Sequence, residues 1–322
     1  MNILYFLVQQ TMFFSIPLLI VALGGMFSER SGIINIALEG IMIMGAFAGI
    51  LFINFAQQNF AQQFFSGQSV LLMAVFVSML TGTAVSLLHA FASINLKANQ
   101  IISGTAINLL APALAVFIAR MIRTVQQIPF VNQFRIEKVP LLGDIPFFGP
   151  LLFRNTYITT YIGFLILALC AFFLYKTRFG LRLRSCGENP QAADSAGINV
   201  YAMRYAGVMI SGALAGLGGL VLIIPTSIEF NPEVFGYGFL ALAVLIFGQW
   251  KPRRILAAAL FFGFMKAFSS SYSGIDFMRS IPIPAYVYKM IPFITTLIVL
   301  AFSSKISQAP RAAGMPFNKE HR

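Results

Sequence analysis

Apolar runs of roughly 20 residues, parted by short polar breaks, fill most of this chain, and a charge-free run of that length reads as a helix crossing a bilayer. Residues 4–25 form the first. No charged side chain occurs between Glu39 and Lys97, which leaves room for two more helices, broken at the polar NFAQQNFAQQFFSGQ of residues 54–68. Further runs cover 101–119, 157–175, 205–224, 255–271 and 287–302. GFLALAVLIFGQW, residues 238–250, would reach only about 20 Å as a helix, so it reads as a broken or re-entrant element. None of these runs alternates like a barrel strand. The pattern predicts an all-α polytopic membrane bundle of about 8–10 segments, a single transmembrane domain over residues 1–322.

Composition agrees. Hydrophobic residues make up 58% of the chain and charged ones 10%, with mean hydropathy +0.81; soluble domains carry about a quarter charged residues. Lipid is therefore the solvent for most of this surface. Most of the 22 Lys and Arg residues, among them Arg30, Lys97, Lys176, Arg184, Arg204, Lys251 and Arg311, fall on one side of the bilayer if the amino end lies outside and the carboxyl end in the cytoplasm. The exception is the basic loop 121–156, taken as extracytoplasmic, and long loops obey the charge rule less strictly. The net charge of +12 thus reads as an orientation signal. Single and paired basic residues without interleaved aromatics do not make a nucleic-acid surface.

Catalytic constellations are missing from the sequence. There is no phosphate-binding Gly-rich loop with its Lys, no hydrolase serine motif, and His89 and His321 lack metal-binding spacing. Cys170 falls within a span and Cys186 in the loop 176–204, an unsuitable pair for a disulfide. The chain reads as a transport protein rather than an enzyme, with no cofactor.

The polar loop 176–204 has the clearest internal order. Asn189 is suited to cap exposed backbone donors and Pro190 to open a helix. The small residues Ala192, Ala193 and Ala196 follow, and Gly197 fits a left-handed stop. A helix of two turns is marginal alone, so another surface is expected against its alanines, with Glu188 and Asp194 available to pair with basic groups there. The bare spacing also allows a solvated connector.

GLRLRSCGENPQAADSAGINVYAMRYAGVMISGALAGLGG closely resembles the cytoplasmic loop and following helix of ABC-importer permeases of the ribose/branched-chain amino acid permease superfamily, in its nucleoside and simple-sugar branch. ERSGIINIALEGIMIMGAF, LKANQIISGTAINLL, FGYGFLALAVLIFGQWKP and APRAAGMPF resemble the same branch, in colinear order. Lys251 stands where that branch is expected to carry Asn, and loop 121–155 matches none of its motifs. The resemblance implies that Glu188, Asn189, Pro190, Ala192, Ala193, Asp194, Ala196 and Gly197 form a coupling helix seated in a separate ABC ATPase subunit. It further implies a second permease chain, identical or homologous, an extracytoplasmic solute-binding protein, and a place in the cell membrane.

Polar groups within spans are costly and commonly face the bundle or a water-filled path. Asn35 and Glu39 are four residues apart, and Asn99, Ser103 and Asn108 lie near another helical face, with Thr105 alongside. These are the expected path residues, although helix–helix contacts use the same residue types and Glu39 has Arg30 as an alternative partner. Gly212, Gly216 and Gly219 read as helix packing. Residues 225–238 form either a landing surface for a binding protein or a plain loop. The competing class is an ion-driven transporter working alone, for which Glu39 and Asp276 are the candidate carboxylates.

Overall fold

The computed structural model describes residues 3–59, 67–146, 149–271, 284–303 and 308–318; Asp276, His321 and the middle of the 54–68 break lie outside them. Helices dominate. In chain order they are α1 (Ile3–Arg30), α2 (Leu38–Asn59), α3 (Gly67–Ala90), α4 (Gln100–Arg123), α5 (Ile158–Lys176), α6 (Arg178–Glu188), α7 (Pro190–Ser195), α8 (Val200–Thr226), α9 (Tyr237–Phe247), α10 (Pro252–Ser270) and α11 (Ala285–Ser303). Six of them, α1 to α5 and α8, are long and apolar enough to cross a membrane, α3 being extended by the π-turn Phe91–Asn95. α10 and α11, 19 residues each, and the half-length α9 occupy the remaining apolar runs. The fold is a polytopic helical membrane bundle, as the hydropathy pattern requires.

α8 is its axis. In its apolar window 83% of residues are buried, against 22% for α4 and 28% for α5. Lipid gives helices no hydrophobic drive to associate, so close backbone packing has to hold them together. α8 supplies it through small residues. A methyl group added at Gly212 would overlap Ser86 and the Gly82 carbonyl of α3, and one at Gly219 would overlap the Met42 carbonyl of α2. At Gly216 the α8 backbone lies against Ser78 and Gly82 of α3 and against Gly45 of α2. Ser78 Oγ closes the seam by donating to the Gly45 carbonyl at 2.9 Å.

The two ends of the bundle differ. At the end where α1 starts, two short antiparallel pairings tie down the loop after α4: β1 (Ile128–Pro129) with β4 (Glu229–Phe230), and β2 (Arg135–Lys138) with β3 (Arg154–Tyr157). Side-chain amides add to them, with Asn54 Nδ2 on the Pro129 carbonyl at 2.7 Å and Asn132 Nδ2 on that of Ile224 at 2.7 Å. At the other end, α6, α7 and the tail 308–318 cover the finish of α1 and the start of α8. The tail is pinned by Ala312 N to Gly187 O at 2.9 Å and Gly314 N to Gly32 O at 3.0 Å.

Because the seam has no spare volume, Gly216→Val forces α8 away from α2 and α3, and overpacking of this kind costs about 1–3 kcal/mol or more. The expected outcome is a thermal midpoint in detergent several degrees below that of the unaltered chain. An unchanged midpoint contradicts the seam.

Candidate functional site

Between α1 and α2 the chain leaves helical geometry for residues 31–37, deep in the bundle. Asn35 shows the depth: its Nδ2 donates to Ser211 Oγ at 2.9 Å, and Ser211 lies about 17 Å along α8 from Val200, close to the middle of that 27-residue helix. Irregular backbone at such depth is tolerated only where side chains satisfy its polar groups. Here they come from several helices. Ser28 Oγ donates to the Ile33 carbonyl at 2.8 Å. Gln100 Oε1 accepts from Ile34 N at 2.7 Å. His89 Nε2 donates to the Ile34 carbonyl at 3.0 Å, which in the neutral ring leaves Nδ1 to accept from Ser103 Oγ at 3.1 Å. Asn108 works at both ends, donating to the Ile36 carbonyl at 2.9 Å and accepting from Gly40 N at 2.8 Å.

A second break meets the first. The chain returns from the far end of α8 through residues 227–236 and begins α9 beside Glu39. Gly236, at φ +77°, is the N-cap of α9 and has no side chain with which to cap it. Glu39 does so from the first turn of α2: Oε1 accepts from Gly236 N at 2.8 Å and Oε2 from Gly238 N at 2.6 Å. α9 then runs its 11 residues, about 17 Å, to the end where α1 finishes. There Trp250 Nε1 donates to the buried Glu29 carboxylate at 2.6 Å, and Arg30 Nη2 donates to the Trp250 carbonyl at 3.2 Å. The short apolar run is the half-helix of a broken span, entered from one end of the bundle and left at the other.

These contacts revise several sequence expectations. Asn35 is fully buried, with its oxygen accepting from Ala37 N at 3.1 Å, so it fastens the break to α8 and faces no open space. Glu39 pairs with backbone donors rather than with Arg30. Asn99 is exposed and is the N-cap of α4, accepting from Ile101 N at 2.9 Å and Ile102 N at 3.3 Å; it stands at the start of that helix and not inside it. Asn108 and Ser103 are half-buried at the break, and Thr105 is exposed on α4. His89, Gln100 and Ser28 were not singled out as site residues. Nothing in their spacing reveals them, because the backbone they serve is distant in sequence.

At the α6–α7 end, Asn189 caps α7 through Ala192 N at 3.0 Å, Pro190 occupies its first turn, and Gly197 stops it at φ +80°. Ala192, Ala196 and Gly197 are exposed, while Asp194 is half-buried. Ala193 departs from expectation: it is buried in its own chain, in a small cluster with Cys186, Val200 and Phe317. Glu188, though exposed, reaches Arg30 at 3.4 Å. α7 is thus a knob rooted by Ala193 and presenting the alanines on its other side. Beneath it Arg204, 1% exposed, has Nε and Nη2 without a hydrogen-bond partner among the described residues, and its guanidinium lies 6.0 Å from the centre of the Phe317 ring. Burial pushes the Cys186 thiol up, against the opposing pull of Arg204 and a Ser185 hydrogen bond. Among the described residues no group of His, Cys, Asp or Glu side chains is placed to hold a metal ion.

The profile of the family described as "Branched-chain amino acid transport system / permease component" matches residues 7–300. The guanosine ABC transporter permease protein NupQ of Bacillus subtilis is 42% identical over 100% of this chain and 99% of its own. The nucleoside ABC transporter permease protein NupC of Lactococcus lactis subsp. cremoris is 40% identical over 99% and 98%. A putative glucose ABC transporter permease protein of Haloferax volcanii, TsgC13, is 30% identical over 92% and 91%. No solved structure matches.

Two measurements follow from this geometry. Glu39→Ala strands two partly buried N–H groups, a cost of at most about 1–3 kcal/mol each, whereas Glu39→Gln keeps one acceptor. Amide exchange across residues 236–240 is therefore expected to accelerate strongly in the alanine variant and modestly in the glutamine one; equal exchange in all three proteins contradicts the cap. Phe317→Ala opens the cluster over Cys186, so maleimide labelling of that thiol is expected to rise from slow to rapid at neutral pH with Cys170 unchanged. A labelling rate that stays the same removes the tail as its cover.

Proposed function

The chain belongs to the permease family of branched-chain amino acid transport systems, and we propose that it serves as the membrane subunit of an ATP-driven nucleoside importer. Full-length similarity to two nucleoside-class permeases carries the substrate class. As a permease it is a multi-pass membrane protein and a transport component, not an enzyme.

The proposed mechanism starts at α7. A capped two-turn knob with exposed Ala192 and Ala196 suits the groove of a separate ATPase subunit, because small side chains allow close approach. Of the residues read as the coupling segment, Asn189, Pro190 and Gly197 shape the knob, Ala193 roots it, Glu188 ties it to Arg30, and the exposed Ala192 and Ala196 face the partner with Asp194 beside them. This end is cytoplasmic in the proposal, with the amino end and the 121–156 and 225–238 loops outside, where a solute-binding protein would deliver cargo. Supporting the orientation, Arg30, Lys97, Arg184, Arg204 and Lys251 all gather at the α7 end.

A second permease chain is proposed against α4, which leaves Ile102, Leu109, Phe117 and Met121 at least 60% exposed. Thr105, Ser103 and Asn108 lie along that helix and supply hydroxyl and amide groups for a nucleoside passing between the chains. Asn35 and Glu39 hold the walls of this path. A sugar is the runner-up cargo, favoured by the likeness to the putative glucose permease.

The test uses the chain co-expressed with its ATPase, partner permease and binding protein. Ala192→Trp with Ala196→Arg is expected to cut ATPase co-purification about ten-fold or more and guanosine uptake in proportion, with an unchanged thermal midpoint; intact association and uptake refute the coupling role. Competition by uridine but not by glucose or valine supports the cargo assignment, and the reverse pattern overturns it. Accumulation by the purified chain alone in liposomes, driven by an ion gradient and without ATP, refutes the importer reading altogether.

A further inference from the structure

Where α5 ends and α10 begins, two distant parts of the chain form a groove of about 580 Å³ lined by Ala171, Phe172, Tyr175, Lys176, Lys251, Pro252, Arg253 and Arg254. Half of that lining is cationic and none of it acidic. No salt bridge to a described residue involves any of the four cations. A further cation, Arg184, stacks on Tyr175 at 5.1 Å from the ring centre and holds that wall in place. Gathering this much uncompensated charge is unfavourable unless an anion completes it.

What lies beside the groove decides which anion. From Phe172 an exposed apolar ridge runs back along α5 through Leu169 and Leu165, at helical spacing and between 44% and 58% exposed. From Arg254 a second ridge runs along α10 through the exposed Phe261 and Phe264. A cup of apolar wall ringed by four cations, at the foot of two apolar rails, has the shape of an amphiphile, with a charged head and long tails. A free phosphate has no use for the rails. A soluble acidic protein has none either, since the ridges belong to membrane-spanning helices.

We infer that this groove is a binding site for an anionic phospholipid, whose phosphate sits among Lys176, Lys251, Arg253 and Arg254 and whose acyl chains lie along α5 and α10. Basic clusters at the ends of membrane helices attract anionic lipid headgroups, each Lys or Arg strengthening the attraction. A lipid there would bridge the end of α5, so little buried in its own chain, to the start of α10. The inference holds whichever solute the chain carries, and its test needs no transport.

Full-length protein, delipidated in detergent, is titrated with dioleoyl phosphatidylglycerol and followed by native mass spectrometry, with phosphatidylcholine and inorganic phosphate as comparisons. Lys251→Gln with Arg254→Gln is expected to weaken phosphatidylglycerol binding about ten-fold or more, leave phosphatidylcholine unchanged and keep the thermal midpoint. Lys176→Gln with Arg253→Gln should do the same from the other wall. Lys97→Gln, at the same end but outside the groove, should have no effect. Equal binding in both double variants, or an equal loss in Lys97→Gln, overturns the site. Displacement of the lipid by equimolar phosphate also overturns it, by showing a simple anion site. Acetylation of Lys176 and Lys251 gives the last arm. Protection by phosphatidylglycerol supports the site, whereas protection only in complex with the ATPase reassigns the groove to a protein contact.

Discussion

Backbone that leaves helical geometry inside an apolar bundle has to find its hydrogen bonds there, and this requirement organises the middle of the molecule. Two breaks occur at similar depth, residues 31–37 before α2 and the start of α9. Each answers the other. Glu39, at the head of α2, supplies the two acceptors that α9 cannot provide for itself, because its N-cap is Gly236. The break before α2 is closed by donors and acceptors from α1, α3, α4 and α8, so four helices are held in register by one irregular strand of chain. Removing any of these side chains leaves a hydrogen-bonding group of the break without its partner.

Around that centre the bundle divides by burial. α1, α2, α3 and α8 pack backbone to backbone along small residues; α1, α2 and α8 bury most of their apolar windows, while α3 keeps an outer face with Phe76 and Leu80 exposed. α4 and α5 are the least buried of the six, although α4 touches α2 backbone at Gly40, and their exposed apolar side chains are left for a partner chain or lipid to cover. A well-buried half and an under-buried half suit a subunit that completes its walls only in an assembly. The anionic-lipid groove belongs to the same division, because it stands where the little-buried α5 meets α10.

A continuous set of contacts also joins the two functional ends. α7 is rooted on α6 and α8. The last residue of α6, Glu188, meets Arg30; Arg30 holds the Trp250 carbonyl beyond α9; and α9 begins at Glu39. A displacement of the knob therefore has a path of hydrogen-bonded groups into the centre, about one half-helix long. Such continuity offers the proposed coupling between ATPase and pathway a mechanical route, and energetic coupling along it is measured by paired substitutions.

Hydropathy alone determined that this chain lives in a membrane as a helical bundle, because apolar length and the absence of charge are local properties. The shortness of residues 238–250 was enough to mark a half-helix, and Asn189, Pro190 and Gly197 were enough to draw α7, since caps and stops act within a few residues. Gly212, Gly216 and Gly219 were legible as packing residues for a similar reason, their spacing being that of one helix face. Tertiary structure decided the partners. That Glu39 caps α9 rather than meeting Arg30, that Asn35 is a buried fastener, that Ala193 faces its own core under Phe317, and that Lys176 and Arg254 share a groove are all relations between residues far apart in sequence. No periodicity records them, because hydrogen bonds and burial at these positions are fixed by which helices lie side by side, and only the folded chain sets that.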